Sequence, residues 1–313
     1  MSKIAFIFPG QGAQYVGMAM DFIKSNVELE NILKNFDINN NTDLCKIMSE
    51  GPEEKLKETK FTQPAILFHS IAALNTVLKK INIIPDYVAG HSLGEFSALV
   101  ANGVLTLEDA MFLVHKRGEF MIKANEGKPF AMAAIIGLSS DEAKAICEEA
   151  SKIDIVIAAN FNTPVQTVIS GSKAGVEKTC EIAQERGAKR VVPLVVGGPF
   201  HSPLIQKAAI WLSKEMNKIN FNETTIPVVS NVNAKPVTDI NEIKKNLAKQ
   251  VTSSVLWVDS INFMIEAGVN TFIEFGPKKV LAGMLKKIDK NIKVISIDTI
   301  KTFELVKNDL ETL

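Results

Sequence analysis

One serine stands between two glycines at the spacing G-x-S-x-G, in the segment Gly90-His91-Ser92-Leu93-Gly94. Hydrophobic patterning predicts a strand over residues 86–90 and a helix over residues 94–102. Between a strand and a helix, the glycines allow a sharp turn that exposes the serine hydroxyl, and the N–H of Leu93 can stabilise an oxyanion at the start of the helix. This context predicts that Ser92 is a nucleophile, with a chance match in a glycine-containing turn as the alternative.

Four histidines are available to activate such a serine. His91 is its neighbour on a tight turn, so the two side chains should point apart. His69 lies in an apolar helical segment and His115 on the polar side of a long helix. His201 follows a loop of two glycines, a proline and a phenylalanine, and such loops often supply catalytic side chains. We therefore predict that His201 takes the Ser92 proton and returns one to a leaving thiol, with a surface loop histidine as the alternative.

No Asp or Glu stands out as the acid of a triad, so a backbone carbonyl could orient the histidine instead.

An arginine occupies the apolar face of the long helix predicted over residues 107–125, with Thr106 as its N-cap. The residues that define this face recur at helical spacing: Leu107, Ala110, Val114, Gly118 and Met121. Arg117 lies in the middle of that face, and a buried guanidinium requires an anionic partner because it cannot lose its charge. The partner could be an internal Asp or Glu. Next to a nucleophile, we favour a bidentate contact with a carboxylate on the acyl group of the substrate.

The middle of the chain has its own pattern of secondary structure. The predicted elements are a strand at 130–137, a helix at 141–152, strands at 155–160 and 165–171, a helix at 173–187 and a strand at 190–194. The order β-α-β-β-α-β is that of a ferredoxin-like unit, which is able to fold on its own.

Both flanks of this unit alternate strand and helix, with strands predicted at residues 3–8, 86–90, 227–230, 271–275 and 293–297. A helix is also predicted over residues 63–81, with Pro64 near its start. We predict an α/β protein that consists of a large α/β-hydrolase-like domain with a parallel sheet, plus a small ferredoxin-like (βαββαβ) inserted subdomain. The catalytic domain would comprise residues 1–127 and 196–313, and the subdomain residues 128–195. A cleft between the two is a natural ligand site.

Composition and charge exclude several classes of protein. The 313 residues include 35 basic and 35 acidic side chains, so no global charge attracts the chain to nucleic acid or a membrane. The N-terminal apolar run, Ile4 to Phe8, is too short for the apolar region of a signal peptide. The cysteines Cys45, Cys147 and Cys180 are odd in number and widely spaced, which predicts neither disulfides nor a metal site. We expect a cytoplasmic protein.

A series of ordered motifs is similar to those of the malonyl-CoA:acyl carrier protein transacylases of fatty acid synthesis. The motifs are Phe8-Pro9-Gly10-Gln11-Gly12-Ala13-Gln14, Thr62-Gln63-Pro64-Ala65, Gly90 through Glu95, Arg117-Gly118, Asn162-Thr163-Pro164, Phe200-His201-Ser202, Ser230-Asn231-Val232, Gln250-Val251-Thr252 and Glu274-Phe275-Gly276-Pro277. They extend over most of the chain, so the resemblance is specific. It departs from the usual pattern at Pro199, Ser254 and Lys278, and none of these positions carries a catalytic group.

The resemblance implies a role for each matching residue. Ser92 would be the nucleophile and His201 its base, oriented by the main-chain carbonyl of Gln250. The N–H groups of Gln11 and Leu93 would form the oxyanion hole, and Arg117 would hold the malonyl carboxylate.

The same resemblance implies ping-pong transfer of malonyl from malonyl-CoA through Ser92 to the phosphopantetheine thiol of acyl carrier protein, by a monomer without metal or redox cofactor. An acidic carrier would need a local basic patch, and Lys189, Arg190, Lys286 and Lys287 are candidates. The alternatives are an acyl-loading enzyme of polyketide synthesis, a serine esterase or thioesterase, and a non-catalytic module that binds a carrier protein. Serine hydrolases normally place their acid and base late in the chain, and the absence of an evident triad acid argues against them.

Overall fold

The computed structural model describes residues 3–313, and Met1 and Ser2, the first residues of the predicted catalytic domain, lie outside the described residues. The described strands are β1 (Lys3–Phe8), β2 (Tyr87–Gly90), β3 (Phe130–Ile136), β4 (Val156–Thr163), β5 (Gln166–Ser172), β6 (Arg190–Pro193), β7 (Val228–Val229), β8 (Pro236–Val237), β9 (Val269–Phe275) and β10 (Lys293–Ile297). The described helices are α1 (Met20–Ser25), α2 (Val27–Asn40), α3 (Leu44–Glu50), α4 (Glu53–Leu56), α5 (Thr59–Leu78), α6 (Gly94–Ala101), α7 (Leu107–Lys123), α8 (Ser140–Ala150), α9 (Lys173–Glu185), α10 (Gln206–Met216), α11 (Ile240–Gln250), α12 (Trp257–Glu266), α13 (Val280–Ile288) and α14 (Ile300–Glu311).

The larger sheet contains six strands in the order β10-β9-β1-β2-β7-β8. Its first five strands pair in parallel. The prediction of a parallel sheet is wrong at one edge, because β8 pairs antiparallel to β7. A tight turn reverses the chain there, with hydrogen bonds between Ser230 N and Lys235 O (3.0 Å) and between Ala234 N and Ser230 O (2.9 Å). The sheet is therefore mixed.

The smaller sheet contains four strands in the order β4-β5-β3-β6, all antiparallel. The elements from β3 to β6 follow one another as β-α-β-β-α-β. With α8 and α9 they enclose a separate cluster of buried apolar side chains that includes Ile135, Ile146 and Ile169. The bounds of these elements agree with the predicted ones to within three residues.

Helix α5 begins earlier than predicted, at Thr59, so that Pro64 lies inside the helix. A proline lacks the N–H that would bond to the carbonyl four residues earlier, which here belongs to Lys60. Nδ1 of His115 on α7 lies 3.0 Å from that carbonyl oxygen and satisfies it. The prediction that His115 lies on the polar side of its helix is therefore wrong, since the side chain is buried against α5.

Helix α5 is the one helix within residues 3–313 that is long and apolar enough to cross a membrane, and 83% of its 18-residue apolar window is buried inside the protein. Its side chains belong to the main hydrophobic cluster, which also contains residues of β1 and α7. This packing is that of a core helix.

Candidate active site

Ser92 lies in the turn between β2 and α6, at the carboxyl end of the parallel strands. Its φ of 54° is in the left-handed region, which a non-glycine residue rarely adopts and which is found at nucleophile elbows. A Cβ on Gly90 would collide with the backbone of Gly94, and one on Gly94 would collide with the carbonyl of Phe8. Both glycines of the motif are therefore required for the turn to pack against β1.

The hydroxyl of Ser92 is hydrogen-bonded to His201, with 2.8 Å between Oγ and Nε2. On the other side of the imidazole, Nδ1 lies 2.8 Å from the main-chain oxygen of Gln250. A carbonyl oxygen can only accept, so the proton of neutral His201 is on Nδ1, and Nε2 presents a lone pair to the serine hydroxyl. The geometry is that of a nucleophile and base whose orienting group is a backbone carbonyl.

His201 is 3% exposed. Burial, and then the positive charge of Arg117, lower the pKa of His201 to about 3. At neutral pH the imidazole is therefore uncharged and able to accept a proton.

Arg117 projects from α7 into the same site and is 1% exposed. Its Nη1 donates to Gln63 Oε1 (2.8 Å), while Nη2 donates to Ser92 Oγ (3.0 Å) and to Gln250 Oε1 (2.9 Å). All three partners are uncharged side chains, so the predicted alternative of a direct internal ion pair does not describe these contacts. Burial lowers the pKa of Arg117 to about 10, which leaves it cationic at neutral pH.

Gln11 and Leu93 are the two residues whose backbone N–H groups the resemblance assigns to an oxyanion hole. Gln11 follows β1 and Leu93 is the N-cap of α6. Neither N–H is paired with an acceptor within residues 3–313. Both residues line the same cavity as Ser92, so both donors are available to a group bound there.

The cavity has a volume of about 280 Å³ and lies between the two sheets. One side contains Ser92, His201 and Arg117, and the other contains Met132 of β3 and Val168 of β5. Residues of the smaller sheet and of the turn after β2 thus line one cavity at Ser92. Of the predicted site residues, Gln250 does not line the cavity and acts on it through its hydrogen bonds to His201 and Arg117.

The other three histidines are separated from the serine hydroxyl. His91 Nε2 lies 2.8 Å from Asn162 Oδ1. His69 lies between the rings of Tyr15 and Phe22. Within residues 3–313 no group of three or more His, Cys, Asp or Glu side chains is arranged to hold a metal ion.

Sequence reasoning assigned no role to three buried polar residues that shape the site. Asn231 accepts from Ser92 N at 2.8 Å and donates to Gly90 O at 2.8 Å, which fixes the elbow. Glu95 accepts from the Asn231 N–H at 3.1 Å and from Gln250 Nε2 at 2.8 Å. Gln63 binds Arg117, as described above. All three belong to the ordered motifs, and membership in those motifs was the one signal in the sequence that could have pointed to them.

A family model described as acyl transferase domain matches residues 5–306. The chain is 43% identical over 312 residues to the malonyl CoA-acyl carrier protein transacylase of Bacillus subtilis (strain 168), covering 99% of this chain and 98% of that protein. It is 45% identical over 302 residues to the protein of the same name in Staphylococcus aureus (strain MRSA252), covering 96% and 97%. A solved malonyl-transacylase, in complex with its type II PKS acyl-carrier protein, matches with a TM-score of 0.93 and 35% identity over 98% of this chain and 100% of that chain. The chain therefore belongs to the acyl transferase domain family, among the malonyl CoA-acyl carrier protein transacylases.

Proposed function

We propose that this enzyme transfers a malonyl group from malonyl-CoA to the phosphopantetheine thiol of an acyl carrier protein in fatty acid synthesis. The observation that carries the proposal is the contact of one hydroxyl with two groups. Ser92 Oγ lies 2.8 Å from His201 Nε2 and 3.0 Å from Arg117 Nη2. A nucleophile with a neutral base on one side and a buried cation on the other suits an acyl group that carries its own carboxylate.

The first half-reaction acylates Ser92. His201 Nε2 accepts the hydroxyl proton while Oγ attacks the thioester carbonyl, and the C–S bond then breaks. The leaving thiolate of CoA takes the proton from His201, which returns to its neutral form. The second half-reaction is the reverse sequence with the carrier thiol as nucleophile, so that His201 first removes the thiol proton and then returns it to Ser92 Oγ.

Two further groups complete this proposal. The N–H groups of Gln11 and Leu93 would donate to the oxyanion of the tetrahedral intermediate; the support is that both line the cavity and have no other acceptor in the described chain. Arg117 would bind the malonyl carboxylate. The guanidinium would then exchange neutral hydrogen-bond partners for an anionic one. No step requires a metal or redox cofactor.

The carrier could belong to fatty acid or to polyketide synthesis. The solved transacylase in complex with a type II PKS acyl-carrier protein matches 98% of this chain with a TM-score of 0.93, so polyketide loading is the second candidate. We favour fatty acid synthesis because the ordered motifs resemble the transacylases of that pathway, and because the chain is 43% and 45% identical to the bacterial malonyl CoA-acyl carrier protein transacylases but 35% identical to the relative with a PKS carrier.

We also propose a division of the chain into an α/β-hydrolase-like catalytic domain (residues 1–127 and 196–313) and a ferredoxin-like subdomain (residues 128–195). The separate sheets and separate hydrophobic clusters support this division. We propose that the enzyme acts in the cytoplasm as a monomer.

The proposal is tested by incubating the enzyme with malonyl-CoA and a phosphopantetheinylated carrier protein. We expect the intact carrier to gain the mass of one malonyl group with release of one free CoA thiol. The apo carrier, which lacks the thiol, is the matched control and should gain nothing. Release of free malonate without modification of the carrier would instead identify a thioesterase.

A further inference from the structure

Glu95 is a buried carboxylate that the mechanism above does not use. It lies on α6, three residues after the nucleophile, and is 2% exposed. Its Oε2 accepts two hydrogen bonds, from Gln250 Nε2 at 2.8 Å and from the backbone N–H of Asn231 at 3.1 Å. Hydrogen bonds from neutral donors do not remove the cost of burying a charge, so an ionised Glu95 needs a cation.

The nearby cation is Arg117, and the side chain of Gln250 connects it to Glu95. The Oε1 of this amide accepts from Arg117 Nη2 at 2.9 Å, and its Nε2 donates to Glu95. One carboxamide therefore connects the guanidinium to the carboxylate, with its dipole aligned to both charges. The same Nε2 also lies 2.9 Å from the main-chain oxygen of Ser92.

Charged groups around Glu95 are few. On α7, Arg117 is the charged group that acts on Glu95, and Glu95 is the acid that acts on Arg117. The imidazoles of His91 and His201, in the turn before α6 and in the loop before α10, have pKa values lowered by burial and are neutral. Burial raises the pKa of Glu95 to about 7, so its charge changes close to neutral pH.

We propose that Glu95 is a positioning residue that sets how strongly Arg117 binds the carboxylate of the acyl group, because ionised Glu95 competes with that carboxylate for the charge of the guanidinium. This inference rests on the proposed function. Binding of a carboxylated acyl group is coupled to protonation of Glu95, because the carboxylate of the acyl group disfavours the ionised form of Glu95, and ionised Glu95 disfavours binding of that carboxylate. An acyl group without a carboxylate lacks this coupling.

The direction of the pH effect follows from this coupling. Below pH 7 Glu95 is protonated and Arg117 is available to the substrate carboxylate, whereas above pH 7 Glu95 is ionised and opposes it. The ratio of kcat/KM for malonyl-CoA to that for acetyl-CoA should therefore fall as pH rises from 6 to 8.5. If the bound carboxylate raises the pKa of Glu95 by one unit, the ratio falls by up to about tenfold. Effects on His201 or on CoA are common to both substrates and cancel in the ratio.

The variant Glu95→Gln keeps an oxygen that accepts from Gln250 and Asn231 but carries no charge. In this variant we expect a malonyl-to-acetyl ratio that is independent of pH and equal to or above the value of the unmodified enzyme at pH 6. Glu274→Gln is the matched control: Glu274 is a second fully buried carboxylate, which accepts from the N–H groups of Leu281 and Ala282 at the start of α13. That variant should lose thermal stability and keep the pH dependence of the ratio.

Three results would overturn the inference: a ratio that does not change with pH in the unmodified enzyme, a Glu95→Gln variant with the same slope, or loss of the slope in Glu274→Gln. The profile of the unmodified enzyme decides the question even if Glu95→Gln does not fold. Failure of the proposed function is distinguishable, because Ser92 would then take up no malonyl group from malonyl-CoA at any pH.

Discussion

Arg117 Nη2 and Ser92 Oγ are joined by a hydrogen bond of 3.0 Å. The cation and the nucleophile thus belong to one hydrogen-bonded group, which also contains His201 and Gln250. A carboxylate bound to Arg117 would lie within reach of Ser92. Loss of Arg117 should therefore change the choice between acyl groups with and without a carboxylate.

Replacement of Arg117 by Ala should lower kcat/KM for malonyl-CoA by roughly 30- to 1000-fold, equivalent to about 2–4 kcal/mol for a charge-assisted bidentate contact in a dry site. Acetyl transfer should hold or improve, because an uncompensated buried charge is removed. Arg117→Lys should restore malonyl transfer only in part, since a point charge cannot reproduce the planar fork. Rates with both acyl-CoA substrates and the melting temperature check this. An unchanged malonyl-to-acetyl ratio, together with lower stability, would assign Arg117 to structure alone.

Replacement of His201 by Ala should slow acylation of Ser92 by about 10²–10⁴-fold, the usual effect of losing a general base. Substitution of His69, His91 or His115 should have much smaller effects on the rate. His115 is the most informative of these controls, because it satisfies the carbonyl left unpaired by Pro64 and should affect stability instead. A folded His91 or His115 variant with a larger loss of rate than His201→Ala would contradict the assignment.

The pH profile reports the lowered pKa of His201. With a value of about 3 in the folded enzyme, the base stays neutral on acidification, so kcat/KM for malonyl-CoA should not decrease between pH 6.5 and pH 5. A decrease with its midpoint near pH 6.5 would show an ordinary histidine.

The stability of the enzyme should decrease over the same pH range. The unfolded chain binds a proton that folded His201 does not, so the unfolding free energy falls below pH 6.5 by about 1.4 kcal/mol per pH unit from this group. Circular dichroism at each pH separates unfolding from a change in rate.

Carrier docking can be tested at the predicted basic patch. Lys287 is exposed in the last turn of α13, and Val280 and Met284 of the same helix line the cavity. Arg190 is exposed at the start of β6. Lys287→Glu and Arg190→Glu should raise KM for the carrier and weaken its salt dependence, while acylation of Ser92 by malonyl-CoA stays unchanged. Lys34→Glu on α2, which does not contribute to the cavity, is the control. Unchanged carrier kinetics would exclude the patch.

Local signals in the sequence were sufficient where one motif determines the structure. The elbow around Ser92 follows from two glycines, and the start of α7 follows from Thr106, whose Oγ1 accepts from Asp109 N at 3.1 Å. The β-α-β-β-α-β order follows from hydrophobic periodicity. Helix α5 differs, because Pro64 would normally mark a first turn, whereas here His115 supplies a donor to the carbonyl that the proline leaves unpaired.

The contacts of Gln250 could not be predicted from local pattern. The resemblance implied a role for its main-chain carbonyl alone, whereas its side chain also connects Arg117 to Glu95. These three residues come from α11, α7 and α6, so only the tertiary structure brings them together. A buried polar network of this kind becomes visible when each donor and acceptor is paired in three dimensions.

Ser92 carries the acyl group in the proposed mechanism, and intact-protein mass spectrometry can detect that ester. The enzyme is incubated with malonyl-CoA in the absence of carrier, and Ser92→Ala is treated in parallel after circular dichroism has shown that it is folded. We predict a mass increase of one malonyl group on the unmodified enzyme and none on Ser92→Ala. A stoichiometric malonyl adduct retained on folded Ser92→Ala would show that Ser92 is not the acylated residue.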